Sequence, residues 1–286
     1  MNQKSAGNLP DMSSSTVAFI GGGNMAGSLI GGLVADGYQP DKIYASDRDS
    51  DKLALLAAKF GIRSARNNQD AVEHCDILVL AVKPQVMRNV AEELAEAVQQ
   101  RQPLVISIAA GVREAHLDQW LGGGVALIRS MPNTPAMLQA GATVLHAGAG
   151  VSKQQKSIAE TILRSVGLTC WVQDEALMDA VTALSGSGPA YFFLLMEAME
   201  QAGIELGLPA STARLLTLQT ALGAARMAME SSDGPATLRG YVTSPGGTTE
   251  SALKTLENSG FREIMRQALT AAKARSEALS AMLGND

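Results

Sequence analysis

The sequence predicts an α/β domain built on a parallel sheet, followed by an all-α domain, and three observations carry that expectation. Short runs of β-branched and aliphatic residues alternate with helical stretches from Thr16 to about Asp174. These runs are apolar throughout rather than alternately polar, as in strands covered on both faces by helices. Beyond Asp174 the strand pattern stops and long helical stretches take over. At 286 residues the chain is long enough for two domains.

In order, Thr16-Val17-Ala18-Phe19-Ile20 reads as the first strand and Gly21-Gly22-Gly23-Asn24-Met25-Ala26 as a turn opening a helix through about Asp36. Ile43–Ser46 is expected to form a second strand, Ile77–Val82 a fully buried one and Leu104–Ile108 another; shorter strands are expected near Val125–Ile128, Thr143–His146 and Leu168–Val172. Helices are expected over Ala176–Leu184, Pro189–Leu206 and Ser211–Glu230, with two more through Leu283. Gly188-Pro189 places proline at a first helical position, where its missing N–H costs nothing, and Pro209-Ala210-Ser211 marks a turn and a cap. The expected division is a flexible tail at 1–15, which has little to bury, then domains at 16–174 and 175–286.

Hydrophobic residues make up 46% of the chain and charged residues 18%, a balance that fits a compact fold rather than disorder. The net charge of −5, with no cluster of Lys and Arg, argues against nucleic acid or an anionic membrane surface as partner. The opening residues carry no apolar signal segment, and no run approaches the roughly 20 residues of a membrane span, so a cytoplasmic protein is expected. Cys75 and Cys170, each beside an apolar strand, read as two reduced core thiols.

Gly21-x-Gly23-x-x-Ala26 between a strand and a helix has the form of a dinucleotide-binding turn. Gly21 permits the tight turn, Gly23 lets the backbone approach a pyrophosphate, and Ala26 allows close helix packing. After the second strand, Ser46-Asp47-Arg48 lies where an adenosine ribose would sit. Asp47 suits the free 2′-hydroxyl of NAD, whereas Ser46 and Arg48 suit the 2′-phosphate of NADP; the expectation is NADPH, with NADH as the alternative donor.

The three histidines, His74, His116 and His146, stand in no metal-binding spacing, so no metal is expected. Gly186-Ser187-Gly188 does not satisfy the nucleophile-elbow pattern of a hydrolase. No lysine occurs between Lys156 and Lys254, so the long helix after Pro189 lacks the cation that hydroxyacid dehydrogenases of similar architecture place there. Reduction of a carbonyl needs an acid for the developing alkoxide, but an imine nitrogen is itself basic and arrives protonated or hydrogen-bonded. The missing lysine therefore favours C=N reduction. Finally, Ser244-Pro245-Gly246-Gly247-Thr248-Thr249-Glu250 reads as a turn into a helix whose free N–H groups suit a carboxylate. Thr249 there is either a helix cap or a hydroxyl placed beside a substrate nitrogen.

Taken in order, Phe19 to Ala26, Ala81-Val82-Lys83-Pro84, Ser107 to Val112, Arg129 to Pro135, Leu184 to Tyr191 and Ser244 to Leu253 resemble the pyrroline-5-carboxylate reductase family over about nine-tenths of the chain. The resemblance implies an α/β Rossmann-type parallel sheet domain followed by an all-α dimerisation domain, with helices that intertwine with those of a second copy in a homo-oligomer. It implies reduction of 1-pyrroline-5-carboxylate to L-proline by NAD(P)H. It also assigns roles: Thr249 to the ring nitrogen, with Ser244, Gly246, Gly247 and Thr248 holding the substrate carboxylate. Gly21, Gly23, Asn24, Met25 and Ala26 would line the pyrophosphate, and Ser46 and Asn68 match adenosine-end contacts, beside the Arg48 already read there from the sequence. Ala81, Val82, Lys83 and Pro84 would border the nicotinamide ribose, and Asn133 and Thr134 the nicotinamide wall. Two alternatives stay open at this point: an NADP-dependent reductase of another imine or oxo acid, and a non-catalytic dinucleotide sensor.

Overall fold

The computed structural model describes residues 15–285; apart from Ser15, the segment expected to be a tail lies outside them. The first part of the chain runs β1 (Val17–Ile20), α1 (Asn24–Ala35), β2 (Ile43–Ser46), α2 (Ser50–Phe60), β3 (Arg63–Ser64), α3 (Asn68–Glu73), β4 (Ile77–Leu80) and α4 (Pro84–Arg101). It continues through β5 (Leu104–Ser107), α5 (Glu114–Trp120), β6 (Leu127–Met131), β7 (Gly141–Ala147), α6 (Lys153–Arg164), β8 (Gly167–Trp171) and α7 (Leu177–Val181). After a π-helical turn at Thr182–Gly186 come α8 (Gly188–Glu205), α9 (Ala210–Glu230), α10 (Pro235–Tyr241), α11 (Thr248–Asn258) and α12 (Phe261–Asn285).

The strands form one sheet in the order β3-β2-β1-β4-β5-β6-β7-β8. All neighbours are parallel except β6 and β7, which pair antiparallel. That one reversal departs from the all-parallel expectation; β6 and β7 are joined through a short 3-10 turn at Thr134–Leu138 rather than a crossover helix. The period-two geometry of strands explains why their sequences are apolar throughout. Val17, Phe19, Ile77, Val79 and Ile106 face one core with α1 and α6. Ala18, Ile20, Leu78, Leu80 and Val105 face the other with α4 and α5. Each fully buried large side chain contributes about 1.5–3 kcal/mol, so the double-sided sheet is the chief source of stability.

Helix limits follow from local chemistry. Asp49 caps α2 by accepting from the N–H groups of Asp51 and Lys52, and Gly61, at φ +72°, ends it. Ser152 and Gln155 form a reciprocal capping box on α6. Pro84 opens α4 and a proline stands in the first turn of α8, as the sequence suggests. At α9 the cap residue is Pro209 and no side chain bonds the helix end, so Ser211 is not a cap. The last part of the chain holds three helices rather than two, because the seven-residue α10 is too short to leave a periodic signature.

Packing divides the described chain into two compact units, one running to Gly186 and resuming from Ala272 onward, the other Ser187–Ala271. Both core clusters belong to the first. In the second, the buried positions of α8 and α9 are Gly188, Ala213 and Thr217, all small, while Phe192, Phe193 and Leu194 are 63%, 63% and 66% exposed. Helices are held in water mainly by burying an apolar face, and these bury almost none within their own chain.

The two cysteines are both free. Burial pushes the Cys75 thiol up to about 12, in keeping with an inert core thiol. Cys170 is exposed, contrary to the sequence reading, because β8 is an edge strand whose alternate residues Leu168 and Cys170 face outward.

Candidate active site

The sheet order reverses between β1 and β4, since the chain passes from β1 outward to β3 before returning to β4. In such sheets ligands enter the crevice at the carboxyl ends of the strands on either side of the reversal. Gly21 and Ala81, the residues following β1 and β4, stand there. Gly21 has φ +103°, and a Cβ added to it would lie 2.7 Å from the Ala81 carbonyl oxygen, so only glycine fits. Gly23 caps α1, and a Cβ there would meet nothing within 4 Å. The space over Gly23, at a helix N-terminus whose first N–H groups on Asn24, Met25 and Ala26 have no backbone acceptor, fits a pyrophosphate. Ala26 is buried against the sheet, as the close packing of α1 requires.

Two expected adenosine-end residues, Ser46 and Asn68, are brought together: the Ser46 hydroxyl donates to Asn68 Oδ1 at 2.8 Å. Arg48 is exposed and forms no ion pair among the described residues. Asp47 turns toward the protein; its Oδ2 accepts the Gly22 N–H at 2.6 Å and its Oδ1 the Asp49 N–H at 2.8 Å. On the other side of the crevice, the Ala81 N–H donates to the Ile20 carbonyl, while Val82, Lys83 and Pro84 lead into α4.

Asn133 and Thr134 follow β6. The Asn133 amide is engaged twice, donating to the Ser185 carbonyl at 3.1 Å and accepting the Ala142 N–H at 2.8 Å. It braces the start of β7 against the π-helical turn, and the exposed Thr134 opens the following 3-10 turn.

The second cluster of expected residues lies at the start of α11. Gly246 has φ +73°, Gly247 caps the helix without a side-chain bond, and the Gly247 N–H closes the turn on the Ser244 carbonyl. The backbone N–H groups of Thr248, Thr249 and Glu250 have no backbone acceptor, and the Gly246 N–H is taken by the Glu250 carboxylate at 2.9 Å. Such a crown of donors suits a carboxylate. Thr249 is half-buried, and with Gly247 as the cap its hydroxyl makes no capping bond to the helix end.

Sequence reasoning missed a buried ionic network in the first unit. Arg129, only 5% exposed, donates to Glu175 at 2.5 Å, and Glu175 also accepts the Glu114 N–H at 2.6 Å. Burial works to raise the Glu175 pKa, but the Glu114 N–H and the Arg129 guanidinium outweigh it and hold the carboxyl below its ordinary value. Asp179 accepts from Arg113 at 2.8 Å and from the Ser276 hydroxyl at 2.7 Å, tying α7 and the end of α12 to the Rossmann layer. His146 faces Glu114, and His116 stacks on Trp120, so both serve the scaffold. The available signal was Arg129 itself, the one charge inside the strand Leu127–Met131.

Comparison with known proteins gives concordant results along the chain. Residues 16–111 match the family described as NADP oxidoreductase coenzyme F420-dependent, and residues 175–279 that described as pyrroline-5-carboxylate reductase dimerisation. The pyrroline-5-carboxylate reductase of Pseudomonas aeruginosa is 52% identical over 273 residues, covering 96% of this chain and 100% of that protein. A solved pyrroline-5-carboxylate reductase from Coxiella burnetii is 48% identical with a TM-score of 0.90, covering 93% of this chain and 98% of that one. The Plasmodium falciparum enzyme, solved with NADP bound, is 28% identical with a TM-score of 0.83, covering 94% and 99%.

Proposed function

This chain belongs to the pyrroline-5-carboxylate reductase family, and from that premise we infer that its two half-sites serve one reaction, the reduction of 1-pyrroline-5-carboxylate to L-proline by NAD(P)H. The observation that carries the reading is 52% identity along nearly the whole chain to a reductase of that name, in a chain with a dinucleotide-type turn and a helix start whose free N–H groups suit a carboxylate.

When bound, the reduced nicotinamide supplies the hydride. The chain's own task is to hold two ligands and guide a proton. Gly21, Gly23 and the first N–H groups of α1 take the pyrophosphate. Ser46, Arg48 and Asn68 take the adenosine end, and Ala81 to Pro84 border the ribose next to the nicotinamide. The N–H groups of Thr248 and Thr249, with the Ser244–Gly247 turn behind them, take the substrate carboxylate. The Thr249 hydroxyl hydrogen-bonds the ring nitrogen, donating to it when the imine is neutral and accepting its N–H when it arrives protonated. Hydride adds to the imine carbon, the C=N π pair moves to nitrogen, and nitrogen keeps the proton it carried in or draws from water. A basic nitrogen makes a dedicated acid unnecessary, which agrees with the absence of lysine from 157 to 253.

A match to a dimerisation family over 175–279, together with helices that bury almost nothing within their own chain, makes this a homo-oligomer. The finer arrangement we propose is a pair of copies whose helices intertwine, closing the Phe192–Leu195 face. Among the described residues no helix is long and apolar enough to cross a membrane. The proposed cytoplasmic location is supported by the two unpaired cysteines.

The test is NADPH oxidation by the purified protein on adding the cyclic imine, set beside simple 2-oxo acids. Rapid oxidation with the imine alone is expected; a faster reaction with a 2-oxo acid would sink the assignment.

A further inference from the structure

We propose that Asp47 is a positioning residue that holds the glycine-rich turn in its phosphate-binding form, and that it does not read the adenosine ribose. The proposal rests on the reductase reading above and concerns how its cofactor half-site keeps its shape.

An acidic residue just after β2 ordinarily turns its carboxylate toward the ribose hydroxyls and selects NAD. Here both oxygens face the protein. Oδ2 accepts the N–H of Gly22, the middle residue of the turn, at 2.6 Å, and Oδ1 accepts that of Asp49 at 2.8 Å. Hydrogen bonds to an ionised acceptor are short and about twice as strong as neutral ones. The contact is packed as well as bonded, since a Cβ on Gly22 would stand 3.1 Å from Leu56 Cδ1 and 3.4 Å from the Asp47 Cβ and Oδ2.

The position of this bond gives it a function. Gly22 lies between Gly21, fixed at φ +103° against the Ala81 carbonyl, and Gly23, whose open side receives the pyrophosphate. Anchoring the Gly22 N–H fixes the peptide plane between Gly21 and Gly22, the one that leads into Gly23. It thereby fixes the direction in which Gly23 and the first turn of α1 present their donors. Asp47 reaches back across from β2, linking the turn of one βα unit to the start of the next. Meanwhile Arg48, one residue on, is exposed with no ion-pair partner among the described residues, which leaves it to meet a 2′-phosphate. Asp47 therefore supports NADPH and NADH alike through their common pyrophosphate, and the choice between them falls to Ser46 and Arg48.

The two roles separate in one experiment on the full-length protein. Wild type, Asp47→Asn and Asp47→Ala are titrated with NADPH and with NADH by nucleotide fluorescence, and KM and kcat are measured for each, with circular dichroism to confirm folding. Asp47→Ala should weaken both nucleotides by about tenfold, the loss of a charge-assisted bond, with kcat at saturation within about twofold of wild type. Asp47→Asn keeps one acceptor oxygen and should restore part of the affinity, and the NADPH to NADH ratio should stay within about threefold of wild type in both. A misfolded variant would lose active enzyme, hence kcat, instead of KM. Selective loss of NADH with NADPH kept or improved would overturn the proposal, as would unchanged affinity for both; if Asp47→Ala does not fold, Asp47→Asn reads the same two outcomes. Failure of the wild type to bind either nucleotide would instead overturn the reductase reading on which the proposal rests.

Discussion

Adding one methyl group to either of two glycines two positions apart should give opposite results, and the structure says which way each goes. At Gly21 the methyl would sit 2.7 Å from the Ala81 carbonyl oxygen and 2.9 Å from its carbon, on a residue held at φ +103°. The backbone strain costs about 1–2 kcal/mol, and forcing β4's exit to move adds roughly 1–3 kcal/mol. Gly21→Ala should therefore lose about 2–5 kcal/mol, a large part of the roughly 5–15 kcal/mol available to a folded domain. At Gly23 φ is −71° and a methyl meets nothing within 4 Å. Gly23→Ala should be neutral or gain about 0.4–1 kcal/mol from a less flexible unfolded chain. Its methyl would occupy the space given to the pyrophosphate, so NADPH affinity should fall by about tenfold or more, roughly 1.4 kcal/mol upward. Urea unfolding followed by circular dichroism, with nucleotide fluorescence titration, measures both quantities on both variants. Wild-type NADPH affinity in Gly23→Ala would refute the placement of the cofactor over that turn, and wild-type stability in Gly21→Ala would refute the close approach to Ala81.

Thr249→Val keeps the shape but removes the hydroxyl; folding should not change, while kcat/KM for the imine falls about ten- to hundredfold, and unaltered kinetics would leave substrate orientation to the backbone N–H groups alone. Arg48→Ala should raise the KM for NADPH about tenfold and leave that for NADH unchanged, as steady-state kinetics with each cofactor will show. Sedimentation at low micromolar concentration should show no monomer, and a stable, active monomer would contradict the reading of the exposed α8 face. Glu175→Gln strips the buried Arg129 of its counter-charge and should cost about 2–4 kcal/mol near neutral pH. Because the folded pKa of Glu175 lies below its ordinary 4.5, its contribution is complete above that value and is lost as pH falls through the folded pKa. Thermal melts of wild type and Glu175→Gln should therefore converge as the pH falls through the folded pKa, and a gap of the same size at every pH would show that packing, not charge, sets the loss.

Most of the sheet was legible because burial on both faces leaves short runs, apolar throughout and rich in β-branched residues, bounded by turn residues. Val17 to Ile20 and Ile77 to Leu80 are apolar at every position, as each face supplies a different core. The turn after β1 was legible for a similar reason, since a φ of +103° against a carbonyl admits one residue type. What such reasoning could not supply was direction. Asp47 is acidic in the expected place, yet whether its carboxylate faces a ribose or the Gly22 N–H depends on a rotamer and on a neighbouring turn. Asn133 shows the same limit, because its amide is held by Ser185 and Ala142, the former 52 residues away in sequence.

The helical unit was harder to read for a different physical cause. Hydrophobic periodicity reports the face a helix buries, and it works when that face is buried inside the same chain. In α8 the run Tyr191-Phe192-Phe193-Leu194-Leu195-Met196 covers more than one face, so it carries no single period. In the single chain, Phe192 to Leu195 remain exposed. A chain that wrote such a segment for its own core would bury it. Its exposure, in a helix pair whose buried residues are all small, implies that the pattern is written for surfaces that a second copy supplies. The sequence of this half is therefore consistent with its fold only in the oligomer, which is why helix positions could be read from it and helix packing could not.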